Sequence, residues 1–221
     1  MSLPQIIIAI GGLGTAAFGL VEASKAFLGG VNHIGFKGIE KTVAVLTPGA
    51  PGNALSQEKI LKTLEANWIN GTDLSSQKSI AKSLIKLHLN PSNASDLAKT
   101  TGVDSGILSD IAKSIASGTP LSSSQSDVYA RFDLILTALL DETYQRSDQV
   151  YRNGTRAIAA AVAVVLSLIG GLMLENGAVP SLRDMCASLL VGLLATPLAP
   201  IAKDLSTALA SAVNTLQLIR K

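Results

Sequence analysis

An uncharged run of eighteen residues, Ala157 to Leu174 (AIAAAVAVVLSLIGGLML), constrains this chain more than any other feature. At 1.5 Å per residue, a helix of that length crosses most of the roughly 30 Å hydrocarbon core of a bilayer. Arg152 and Arg156 stand before the run and Glu175 follows it, so charge resumes where water would. Two other stretches share this character. Leu3 to Val21 (LPQIIIAIGGLGTAAFGLV) is uncharged until Glu22, and Met185 to Ala202 (MCASLLVGLLATPLAPIA) carries Pro197 and Pro200 near its far end. Each of those prolines removes a backbone donor and predicts a kink. The first stretch has no basic residue ahead of it and no small-x-small cleavage site, so it reads as a retained anchor rather than a secretory signal. Only 15% of the residues are charged, against about 25% in ordinary soluble domains. The expected fold class is an all-α integral membrane protein with about three transmembrane helices, a cytoplasmic helical domain and a long helical stalk.

Direction follows from lysine and arginine near the span ends, which cytoplasmic segments carry in excess. Lys25, Lys37, Lys41, Arg146, Arg152 and Arg156 flank the long central loop, and Lys203, Arg220 and Lys221 follow the third span. The short loop Glu175 to Asp184 offers only Arg183. The expectation is an N-terminus outside, with the loop domain and the C-terminus in the cytoplasm. Arg152, Arg156, Lys203 and Asp204 are expected at the membrane interface, where ionisable groups anchor a span.

The central region turns polar and periodic. Ile60, Leu64 and Trp68 share a helical face after Ser56, and Asn70-Gly71 makes a helix stop. Ile80, Leu84 and Leu87 align in a second stretch, Leu74 to Leu89. The string Ser-Asp-(Leu or Ile)-Ala-Lys occurs at 95–99 and again at 109–113, which suggests a small helical hairpin. From Ser122, the positions Val128, Phe132, Ile135, Leu139, Thr143, Arg146 and Val150 set out one long helix that runs into the second span. Leu205, Ala208, Leu209, Ala212, Leu216 and Ile219 form a further amphipathic stripe, which the topology would return beside it as an antiparallel stalk. The implied organisation is 1–35 for the first span and its exit, 36–121 for the helical domain and 122–156 for the stalk helix. A transmembrane hairpin follows at 157–204, and an amphipathic helix at 205–221.

In lipid there is no hydrophobic drive between helices, so small residues mark where backbones can approach. Gly12, Ala16, Gly19 and Ala23 fall on one narrow face of the first span; Gly170 and Gly171, then Gly192, Ala195 and Ala199, repeat the pattern on the others. Such faces serve packing within one protomer or a seam between copies, and the spacing leaves both open.

Motifs that carry chemistry are sparse. Gly12-Leu13-Gly14-Thr15-Ala16-Ala17 after Ile6 to Ile10 fits a dinucleotide turn, but no acidic residue closes a second strand at the required distance. His33 and His88 lie in different segments without an acidic or cysteine cluster beside them, and Cys186 is the single cysteine, so no zinc cage or catalytic dyad is expected. Asp141, Glu142 and Asp148 read as solvated partners of Arg146 and Arg152. A formal charge of +2 without a basic block argues against a nucleic-acid partner. No cofactor and no metal are expected.

The order of features resembles an uncharacterised family of bacterial three-span membrane proteins with a cytoplasmic helical domain. The resemblance rests on Gly38-Ile39-Glu40-Lys41, on Asp141-Glu142-Thr143-Tyr144 through Tyr151-Arg152-Asn153-Gly154-Thr155-Arg156, and on Gly192-Leu193-Leu194-Ala195-Thr196-Pro197-Leu198-Ala199-Pro200-Ile201-Ala202-Lys203-Asp204-Leu205. It implies three spans, a bacterial inner membrane and no assigned reaction; aromatic residues usual around the Ala-Pro pair are missing here. The functional expectation is a non-enzymatic anchor or scaffold that holds a cytoplasmic protein partner or assembly at the bilayer. The alternative is an oligomeric pore gated by the cytoplasmic domain.

Overall fold

A computed structural model of the chain describes residues 3–27, 32–49, 55–174 and 181–195. Among them are eight α-helices and no strand: α1 (Leu3–Phe27), α2 (Phe36–Leu46), α3 (Gln57–Ile69), α4 (Leu74–His88), α5 (Ala94–Thr101), α6 (Ser105–Ser117), α7 (Ser123–Leu174) and α8 (Leu182–Ala195). The all-helical class is as expected. The dinucleotide turn is not present, because Ile6 to Ala17 lies inside α1 and Thr15 Oγ1 donates to the carbonyl of Gly11 along the same helix.

The chain divides into two compact units, residues 32–151 and residues 1–31 with 152–221. Helix starts in the first unit are set by local chemistry. Ser56, Asp73 and Asp104 each accept a backbone N–H three residues on, from Lys59, Ser76 and Ile107, and so satisfy donors that the first turn leaves unpaired. Ser122 and Gln125 form a reciprocal box at the start of α7: the Gln125 N–H donates to Ser122 Oγ, and the Ser122 N–H donates to Gln125 Oε1. At the other end of α5, Gly102 takes φ 68°, a left-handed turn that costs glycine nothing.

The core of this unit gathers one face from each helix: Phe36, Ile39, Val43 and Leu46 from α2; Ile60, Leu64 and Trp68 from α3; Leu97 and Ala98 from α5; Leu108, Ile111 and Ala112 from α6. The repeated string does form a hairpin, with Asp96–Lys99 and Asp110–Lys113 pairs at equivalent places on its outer side. α7 supplies Phe132, Leu136, Leu140 and Tyr144 to the same core, all nearly or fully buried. A fully buried leucine contributes about 2 kcal/mol, which makes this stretch a central strut of the domain. Residues 123–151 of the expected stalk helix lie within the helical unit, and the C-terminal stripe expected beside it lies outside the described residues.

Two predicted faces are also corrected. On α4 the buried positions are Gln77, Ala81, Ile85 and His88; of the predicted line, Ile80 and Leu84 are partly buried against the core and Leu87 is 72% exposed. On α7 the buried line advances in steps of four from Phe132 and leaves Arg146 and Val150 outside. Both helices carry more than one apolar line, and packing in the helical unit decides which one turns inward.

In the other unit, Ala17 of α1, Ala163 of α7 and Ala195 of α8 form a small buried cluster, with Ile10, Leu13, Val162 and Leu166 packed around it. α8 begins at Leu182, earlier than expected, since Ser181 accepts the Asp184 N–H and donates back to its carboxylate. Among the described residues, α7 is the one helix long and apolar enough to cross a membrane, and the apolar part of α1, Ala9–Ser24, is shorter. The third expected span is described only to Ala195; Ala199, Lys203, Asp204 and the stripe from Leu205 to Ile219 lie outside the described residues.

Candidate functional site

The most structured polar surface in the chain runs along α4 and α7 of the helical unit. Lys78, Lys82 and Lys86 recur every fourth residue, which places them on one face of α4. They meet acceptors on α7 in antiparallel order. Lys78 Nζ lies 2.5 Å from Asp141 Oδ1, Lys82 Nζ 3.1 Å from Asp133 Oδ2, and Lys86 Nζ 2.9 Å from Asp133 Oδ1. Lys82 also donates to Thr137 Oγ1, and the Lys86 ammonium sits 4.7 Å from the centre of the Tyr129 ring, within cation–π range.

The electrostatics of this seam favour full ionisation. Partial burial pushes Asp133 upward, but the hydrogen bonds and charges of Lys86 and Lys82 outweigh it and hold the carboxyl below its ordinary range. Burial works against Lys86 too; Asp133 and Tyr129 more than compensate and raise it above the usual lysine value. Ser75, Ser79 and Ser83 each precede one of these lysines by three residues, while the amines pair with the carboxylates of α7. A charged ammonium has no lone pair with which to accept a proton, so the arrangement orients and pairs charge. Above the seam, Ser75, Lys78, Ser79, Lys82, Thr137, Leu140 and Asp141 line a cleft of about 140 Å³. Leu87 and Leu134 are the large exposed apolar residues of these two helices within the unit, apart from Val150.

A second cluster fixes the point where the chain begins the helical unit. Gly35 takes φ +88°, and a Cβ there would collide with the carbonyl oxygen of Ser147. A Cβ on Gly38 would come within 2.9 Å of Ser147 Oγ, so α2 crosses α7 at backbone range. Trp68 Nε1 donates to the Asn32 carbonyl at 2.9 Å, the Trp68 ring meets Tyr151 edge-on at 5.9 Å, and His33 Nε2 lies 2.8 Å from Glu65 Oε1. Asn32 to Gly35 is thereby bound to both α3 and α7. Glu65 reaches His33 from 32 residues away, a single acidic neighbour rather than a cluster.

The small-residue positions divide. Gly171 and Gly192 are at close helix contacts: a Cβ on Gly171 would strike the Ser188 hydroxyl, and one on Gly192 would come within 2.7 Å of Val164 Cα. Ser167 Oγ donates to the Ser188 carbonyl beside them, and Ala195 is fully buried. Among the described residues no atom lies within 4 Å of a Cβ built at Gly12, Gly19 or Gly170, and Ala16 is exposed. The buried line of α1 is Gly14, Ala17 and Val21, one helical face away from the predicted one. Among the described residues, Gly12, Ala16, Gly19 and Gly170 are not at a helix contact. Arg152 and Arg156 are exposed on α7. Asp141 is paired, but with Lys78 rather than with a neighbouring arginine; Glu142 does bond Arg146, at 3.0 Å.

The lysine ladder escaped the sequence reading, although Lys78-x₃-Lys82-x₃-Lys86 and Asp133-x₇-Asp141 are both spaced for one helical face. Their complementarity becomes a signal only once the two helices are known to be antiparallel neighbours. Comparison with protein families, with curated proteins and with solved structures returned no match to this chain.

Proposed function

We propose that the chain is a multi-pass protein of a bacterial inner membrane, with its N-terminus outside, that anchors or scaffolds a protein partner through its cytoplasmic helical unit and performs no reaction of its own. The observation that carries this reading is α7. One helix of 52 residues contributes its first half to the core of a polar unit and ends in an uncharged apolar run. A chain so built keeps a folded surface tied to the hydrocarbon without an intervening linker. The exposed face of α4 and α7, with its oriented charges and with Leu87 and Leu134 in reach of solvent, supports partner recognition there. The reading takes the apolar stretches 3–21, 157–174 and 185–202 as its three spans, and the arginine-rich flank of the second supports the direction.

The test is crosslinking in native membranes, followed by recovery of everything attached to the segment between Phe36 and Ser126. A reproducible large soluble partner supports the anchor. Recovery of self-crosslinked copies alone overturns it in favour of a second reading, an oligomeric pore. That reading is favoured by one specific observation, the face of Gly12, Ala16 and Gly19 on α1, which no other described residue covers and across which copies could approach closely. Ion flux in vesicles that Gly12→Leu abolishes would establish the pore, and silence at full incorporation would remove it.

A further inference from the structure

The α4–α7 seam turns a face of its own to the solvent. Lys86 meets Asp133 across the seam, and Leu87 and Leu134 each follow one member of that pair by a single residue. One residue turns an α-helix by about 100°, and in antiparallel neighbours that step carries both side chains to the same side of the seam. Leu87 is 72% and Leu134 69% exposed, the two most exposed large apolar residues of the helical unit among those described. Ser75, Ser79 and Ser83 are exposed at the same four-residue spacing as Leu87, and Thr137 and Ala138 are exposed on α7. Short side chains at these positions let another helix approach closely.

Charge on this face is divided by helix. α4 contributes Lys78, Lys82 and Lys86, and α7 contributes Asp133 and Asp141. Asp141 remains 54% exposed after pairing with Lys78. Other charges on these stretches balance locally: Asp127 precedes Arg131 by four residues, and Glu142 pairs with Arg146. A two-fold rotation about an axis parallel to the helices sets α4 of one copy over α7 of another, and the face is then complementary to itself. Lys78 comes opposite the second copy's Asp141, Lys82 and Lys86 opposite its Asp133, and Leu87 opposite its Leu134. An axis running across the helices would instead set one lysine column against the other, which like charge opposes. Rotation parallel to α7 also leaves the direction of that helix unchanged, so its apolar run points the same way in both copies, as a shared membrane requires.

We propose that the α4–α7 face binds a second copy of this chain as a two-fold pair, held by Leu87–Leu134 contacts and by lysine–aspartate pairs between the copies. The proposal rests on the reading that this face recognises a protein, and it names that protein as the chain itself. A soluble partner then meets two helical units at once. From Ser75 to Leu87 the face is about 18 Å long, small for a free-standing interface. Confinement of both copies to one membrane in a shared orientation lowers the cost of pairing.

The experiment uses the full chain with Cys186→Ser, expressed in two differently tagged forms in the same membranes. One form carries Leu87→Cys and the other Leu134→Cys, so no link can form within a chain, and a short bismaleimide joins cysteines that face each other. Mixtures with the same cysteine on both forms, and a mixture of Leu87→Cys with Ile115→Cys on α6, measure random encounter. The crossed mixture should link well above all of these. Asp141→Lys in both forms should lower the crossed link roughly fivefold, the scale of an exposed ion pair, and adding Lys78→Asp should restore it. Equal linking in every mixture, no linking, or charge reversal without effect overturns the pair. Should the reversed variant not fold, the ratio of crossed to same-site linking decides. If linking is absent while capture in native membranes still recovers a soluble protein, the pair fails and the anchor reading stands.

Discussion

Gly35 is in backbone contact with Ser147, and no side chain fits between them. The glycine also holds a left-handed φ of +88°, so a methyl group there would suffer both strain and collision. Gly35→Ala is expected to destabilise the helical unit by about 3 kcal/mol, from roughly 1–2 for the backbone and 1–3 for overpacking. Thermal or denaturant unfolding of the full chain in detergent checks this. Retention of wild-type stability would mean that the α2–α7 crossing is looser than described.

Tyr144 tests the opposite case. Its ring is fully buried in the core, and its hydroxyl has no hydrogen-bond partner among the described residues. An unsatisfied buried hydroxyl costs about 1–3 kcal/mol, so Tyr144→Phe should be neutral or stabilising by about 1 kcal/mol, unlike most core substitutions. Burial also raises the ionisation of this phenol well above the ordinary tyrosine range. The unfolded chain therefore ionises first as pH climbs past about 10, and stability falls there. Tyr144→Phe should reduce that alkaline loss, and unfolding curves at pH 9 and 11 would show it.

The α4–α7 seam predicts pH dependence at both extremes. Asp133 is held below its ordinary range, so its contribution is present above the unfolded carboxylate value and is lost as pH falls through the folded one. Lys86 is held above its ordinary range, so its share is present below the unfolded lysine value and is lost as pH rises through the folded one. These groups are roughly 30% exposed, and solvent screening limits each pair to about 1 kcal/mol. Asp133→Asn should cost about 1–2 kcal/mol at neutral pH and nothing further in acid. A double-mutant cycle with Lys86→Met separates the pair from the helix.

In the apolar unit, Gly192 and Gly12 should respond differently. Gly192→Val drives a side chain into the backbone at Val164 and should destabilise the unit by about 1–3 kcal/mol. Gly12→Val enters open space within the protomer and should leave detergent stability unchanged. If it instead changes the oligomeric state seen by native mass spectrometry, α1 faces another copy.

Much of the layout was legible in the sequence. Ser56, Asn70 and the Ile60–Leu64–Trp68 face set the bounds of α3 as observed, because capping and periodicity act over a few residues. The repeated Ser-Asp-x-Ala-Lys strings gave α5 and α6 for the same reason. Less legible was the candidate site. Lys78 and Asp141 are 63 residues apart, His88 and Pro48 are 40, and Thr42 and Thr143, whose hydroxyls bond at 3.0 Å, are 101.

The sequence by itself determined helix positions, helix ends and the apolar run of α7, since each depends on neighbours within one or two turns. Only the tertiary structure decided which line of α4 and of α7 faces the core, which of the small residues on α1, α7 and α8 touch another helix, and which carbonyls His88 reaches. Where a helix carries two apolar lines of similar strength, its own periodicity leaves the rotation about its axis undetermined. Contacts with distant segments fix it: α4 turns Ala81 and Ile85 to the core, pairs three lysines with α7 and leaves Leu87 in the solvent.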